Sequence, residues 1–88
     1  MLDNKLRCLL IQDDEADKSC AALDVHVGCS LDPKPLYGVA HFLEHMLFMG
    51  SQNFPSSSAF DEYLSTHGGD SNAATSSDCT EYYFSCNQ

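Results

Sequence analysis

Eighty-eight residues, 43% of them hydrophobic, make one small domain at most and show no compositional mark of disorder. Thirteen acidic against four basic residues leave a formal charge of −9, and with no basic stripe to neutralise phosphates, nucleic acid and anionic membrane surfaces are excluded as partners. Five cysteines, an odd number without CxxC spacing, are a poor disulfide framework; with an N-terminus lacking a signal peptide's charged start and apolar core, they lead us to expect reduced thiols in a cytoplasmic protein.

In chain order, Leu6, Cys8 and Leu10 alternate with Arg7, Leu9 and Ile11 after a turn at Asp3-Asn4, which predicts a strand. The run of Asp13, Asp14, Glu15 and Asp17 reads as a solvated loop. From Cys20 to Cys29 a second alternation predicts another strand, with Ala21, Leu23, Val25 and Val27 on one face and His26 as an exposed strand residue on the other.

Pro33, Pro35 and Gly38 turn the chain, so a helix is expected only from Val39, running to Met49 and stopping at Gly50. Its apolar residues occupy almost the whole circumference, the pattern of an interior helix. Interrupted by charge, this stretch is far too short to span a bilayer. A second helix is announced by Ser58 and Asp61 as a capping box and ended by Gly68-Gly69, with Phe60, Tyr63 and Leu64 expected to pack inward. Asp70 to Ser77 is mostly polar, and Cys79 to Cys86 reads as a strand with Thr80, Tyr82, Phe84 and Cys86 on one side. The expected class is α+β in the order strand, strand, helix, helix, strand. So few elements do not easily close a core alone.

The chemistry concentrates in "HFLEH", residues 41–45. On a helix, four residues advance about 400°, so His41 and His45 stack with an offset of roughly 40° and can reach one ion. Zinc takes neutral imidazoles, and a catalytic zinc keeps an open position for water. Glu44 leans over the same face beside the metal axis, a place suited to a general base that takes a proton from a water acidified towards about pKa 7 and passes it to a departing amine. The plainer reading makes the histidines hydrogen-bonded core residues. The helical, apolar setting between Gly38 and Gly50 favours the metal. His67, at the end of the second helix, suits the helix dipole, and Met46 and Met49 suit core packing.

HxxEH, together with "LDNKLRCLLIQD", "KSCAALDVHVGCSLDP", "GVAHFLEHMLFMGSQNFP" and "HGGDSNAATSSDCTEYYF", resembles the insulinase (pitrilysin-like) family of inverzincin metallopeptidases, in its eukaryotic branch. The resemblance implies a truncated start of that family's mixed domain of sheet and helices, with residues 1–88 as the N-terminal portion of the catalytic peptidase domain. It implies one Zn2+ held by His41 and His45, with a third protein ligand, a glutamate on another helix, beyond Gln88. It makes Glu44 the base, Phe48 part of the site wall, and Asn72 and Ala73 the place where an extended peptide substrate is held. Family members commonly show Asn-Gly where this chain has Asn4-Lys5, an aromatic residue where Ala74 stands, and a more acidic stretch in place of "SSSAFDEY". The alternative to a peptidase is a catalytically inactive short form that associates with a full-length relative through a strand edge and regulates it.

Overall fold

A computed structural model describes residues 1–87. Strand β1 spans Lys18–Val25, a single 3-10 turn covers Cys29–Leu31, helix α1 spans Val39–Leu47 and helix α2 Ala59–Thr66, and strands β2 (Asp70–Thr75) and β3 (Thr80–Asn87) follow. The sheet is antiparallel in the order β1-β3-β2, so the last strand in sequence lies between the other two. Leu23 faces Tyr82 across one ladder and Ala73 faces it across the other. The alternation read from residues 80–86 therefore describes a central strand whose Tyr82 and Phe84 turn towards the helices. Phe60 of α2 meets Phe84 edge-on at 6.0 Å and Phe48 at 6.2 Å, joining the end of α1, α2 and the sheet through three rings.

Two expectations for strands fail. Residues 6–11 form no strand among the described residues, and Leu9, Leu10 and Ile11 are 82%, 88% and 83% exposed. A strand exists only where a neighbour takes its amides and carbonyls, and no described element lies beside this segment. The radius of gyration is accordingly 15.2 Å, against about 12 Å for a compact chain of this length. Conversely, the polar stretch from Asp70 is strand β2, closed onto β3 by the turn at 76–79, where the Ser76 hydroxyl accepts the amides of Asp78 and Cys79. The observed order is thus strand, helix, helix, strand, strand. The class remains α+β.

The core is small: Leu64, 2% exposed, is its only buried large apolar side chain among the described residues. Tyr63, expected to point inward, is instead exposed and stacks on His67 at 4.2 Å. Ser58 does not form the expected capping box with Asp61; its hydroxyl donates to Glu62 Oε1 at 2.5 Å. At the other end of α2, His67 sits within 2.7 Å of the Tyr63 carbonyl through Nδ1, and the amide of Gly69 returns to the Leu64 carbonyl at 2.8 Å. Gly69 then runs so close to β3 that a Cβ there would lie 2.0 Å from the Ser85 carbonyl oxygen. Near the N-terminus, Lys5 takes a positive φ of 69°, while the amide of Leu6 donates to Asn4 Oδ1 and completes the turn expected there. No helix among the described residues is long and apolar enough to cross a membrane. The five cysteines are free of disulfides.

Candidate metal and catalytic site

The site rests on α1, whose first turn is held from outside. Gly38, at φ +89°, precedes Val39 and carries no side chain to cap it. Asp32 serves instead, across the proline loop: the Gly38 amide donates to Oδ2 at 2.6 Å and the Ala40 amide to Oδ1 at 3.0 Å. A carboxylate there satisfies two otherwise unpaired amides and complements the positive end of the helix dipole. At the far end, the amides of Phe48 and Met49 reach back three residues to His45 and Met46, at 3.3 and 3.1 Å. That tightening closes the helix at Leu47, two residues short of the expected Met49, and Gly50 takes its positive φ of 112° beyond it.

On this fixed turn, the His41 and His45 rings lie tilted at 51° to each other, with centroids 4.8 Å apart and Nε2 atoms 3.1 Å apart. Two imidazole nitrogens bound to one tetrahedral zinc at about 2.0–2.1 Å would stand about 3.3 Å from each other, so the pair is already close to a ligand spacing. Glu44 places a carboxylate oxygen within 4.8 Å of a donor atom on each histidine. The two imidazoles are donors of the kind that zinc takes, and the Glu44 carboxylate beside them lies within reach of a water at such an ion.

Glu44 faces the sheet and is only 7% exposed, while its apolar neighbours Phe42, Leu43, Met46 and Leu47 remain on the exposed side. Among the described residues, α1 thus meets the sheet through Glu44, while Phe42 and Leu43 are exposed. The hydroxyl of Thr75, at the end of β2, donates to Glu44 Oε2 and supplies the polar partner that burial requires. Partial burial, and secondarily the nearby Glu44 carboxylate, push the Tyr82 phenol above its usual value of 10.0.

Of the residues singled out in the sequence, His41, Glu44 and His45 come together. Phe48 is half-buried at the end of α1 and lines an apolar hollow between the helices with Leu47, Phe54 and Phe60. Asn72 and Ala73 lie in the middle of β2, where the Asn72 side-chain oxygen accepts the Ala73 amide at 2.9 Å. Ala73 and Thr75 share the half-buried face; Asn72 is on the exposed one. Sequence reasoning missed Asp32, Thr75 and Tyr82. An acid just before a proline loop that leads into a helix, and a threonine in phase with Ala73, are the signals that could have found the first two. A second group of donors, Asp24, Cys79 and Glu81, also lies within 4.8 Å; its acids are exposed, and Asp24 and Glu81 are direct cross-strand neighbours.

The family pattern described as insulinase, peptidase family M16, matches residues 7–88. The A-factor-processing enzyme of Saccharomyces cerevisiae is 57% identical over 86 residues, which are 98% of this chain and 8% of the yeast protein. The insulin-degrading enzyme of Homo sapiens is 49% identical over 83 residues, 94% of this chain and 8% of the human protein. Among solved structures, that of pitrilysin superposes with a TM-score of 0.90 at 44% identity, covering 98% of this chain and 9% of pitrilysin. The chain thus spans under a tenth of the length of these relatives, and its sheet and helices have the insulinase-type arrangement. By sequence and by fold, it belongs to the insulinase family of peptidases, family M16.

Proposed function

We propose that this chain carries the metal-binding and proton-transferring part of a zinc-dependent endopeptidase acting on extended peptides. The observation that supports this reading is the convergence of the His41 and His45 Nε2 atoms to 3.1 Å beside the buried Glu44 carboxylate. His41 and His45 would hold Zn2+, with a glutamate from beyond Gln88 as third ligand. When bound, zinc supplies Lewis-acid polarisation of a peptide carbonyl.

The remaining work belongs to the chain. Glu44 accepts a proton from the attacking water and delivers it to the departing amine, the task of a single carboxylate used first as base and then as acid. Phe48 walls the site on one side. β2 has only β3 as a neighbour, so its other edge is unpaired among the described residues, and an extended peptide can add there beside Asn72 and Ala73. Pairing through backbone groups demands little of the substrate's sequence, which favours broad specificity.

Zinc stoichiometry measured alongside peptide hydrolysis tests the reading, in this chain and in a longer chain that carries the downstream glutamate. The longer chain is expected to bind one zinc per molecule and to lose hydrolysis when a chelator removes it. Undiminished hydrolysis in the metal-free protein would sink the proposal.

A further inference from the structure

Glu44 has two oxygens, and a base that takes and returns a proton needs one of them free and correctly aimed. The Thr75 hydroxyl donates to Oε2, which leaves Oε1 as the oxygen open to water. We infer that Thr75 is a positioning residue that fixes the Glu44 carboxylate so that Oε1 exchanges the proton. The inference rests on the reading of Glu44 as the base.

Three observations carry it. Glu44 is buried, so its carboxylate cannot borrow orientation from bulk water, and the Thr75 hydroxyl directs it from across the fold, thirty-one residues away in sequence. Thr75 is β-branched and on a strand, where few side-chain rotamers are open to it, which restricts the places its hydroxyl can occupy. That backbone is itself held: Thr75 pairs with Thr80, which is buried and donates to the Val27 carbonyl at 2.8 Å. The chain of contacts thus runs from β1's exit through β3 to the end of β2, and from there to the base.

Position 75 also lies two residues from Ala73 on the same strand face. A peptide added to the outer edge of β2 would steady the strand that aims the carboxylate. In the reaction, a water O–H bond breaks as its proton passes to Oε1. The water oxygen bonds to the peptide carbon, the C–N bond breaks, and the proton on Oε1 becomes an N–H of the amine.

The test compares Thr75→Val, nearly equal in volume but without the donor, with Thr75→Ser, which keeps it, in the complete zinc-loaded enzyme carrying this segment. Thr75→Val is expected to lower kcat by about ten- to a hundredfold while KM and zinc affinity stay within about twofold, and Thr75→Ser to recover most of kcat. Should the valine variant fail to fold, Thr75→Ala is read in its place with the same expectation. Unchanged kcat without the hydroxyl, a serine variant as slow as the valine one, or zinc affinity falling in step with kcat would each overturn the inference. Glu44→Gln, run in parallel, separates the two ideas. If it abolishes turnover while Thr75→Val does not, only the role of Thr75 falls; if it leaves turnover intact, the assignment of the base falls first.

Discussion

The two helices, of nearly equal length, solve opposite problems. α2 buries Leu64 and leaves Asp61 and Glu62 in solvent, the arrangement that hydrophobic burial favours. α1 buries Glu44 and leaves Phe42 65% exposed and Leu43 54% exposed. α1 meets the sheet through its one carboxylate, where α2 meets it through a leucine. It is well arranged for holding a dry, directed acid beside two imidazoles. The neighbouring helices thus differ in what they bury, a carboxylate in one and a leucine in the other, and the difference can be tested from either side.

The largest effect is expected at Glu44→Gln, which keeps shape and hydrogen-bonding capacity while removing the proposed proton acceptor. In the complete enzyme turnover should fall by about two to four orders of magnitude, with metal content unchanged. Steady-state kinetics paired with metal analysis gives the answer, and retention of activity would return α1 to an ordinary structural role. Next comes Leu64→Ala, expected to cost about 2–5 kcal/mol of folding stability in denaturant titrations while zinc affinity per folded molecule is preserved. A loss of zinc affinity without a loss of stability would show that α2 is not the purely structural partner.

Asp32→Ala should cost about 1 kcal/mol, and hydrogen exchange should localise the loss to the first turn of α1, leaving α2 protected. The smallest effect is pH-dependent. Because folding raises the Tyr82 pKa, the unfolded chain releases its phenolic proton first; stability should be flat at neutral pH and decline as pH rises through about 10. Tyr82→Phe should flatten that decline, as read from unfolding midpoints across alkaline pH.

Much of this was legible in the sequence because the signals were local. HxxEH needs only helical geometry to converge, and Gly38, Gly50 and Gly68-Gly69 punctuate the helices near where they fall. What escaped the sequence depends on contacts between distant segments. Asp32 caps a helix from across a loop, and Thr75 meets Glu44 from another element. β2 was missed because Asp70, Ser71 and Asn72 have weak strand preference, and pairing with the aromatic β3 outweighs it. Residues 6–11 fail in the opposite way: good strand chemistry with no neighbour to pair with among the described residues. Which side of α1 meets the sheet was not legible because an apolar pattern running around the whole helix does not single out a face, and the residue buried there is Glu44.

The close approach at Gly69 bears on all of this. Because that residue stops short at its α-carbon, the backbone leaving α2 can rest directly on Ser85, and this contact sets where β2 starts along its neighbour. A single absent methyl group therefore acts as a vertical datum for the strand, and the level at which Thr75 meets the carboxylate six residues further on is inherited from it.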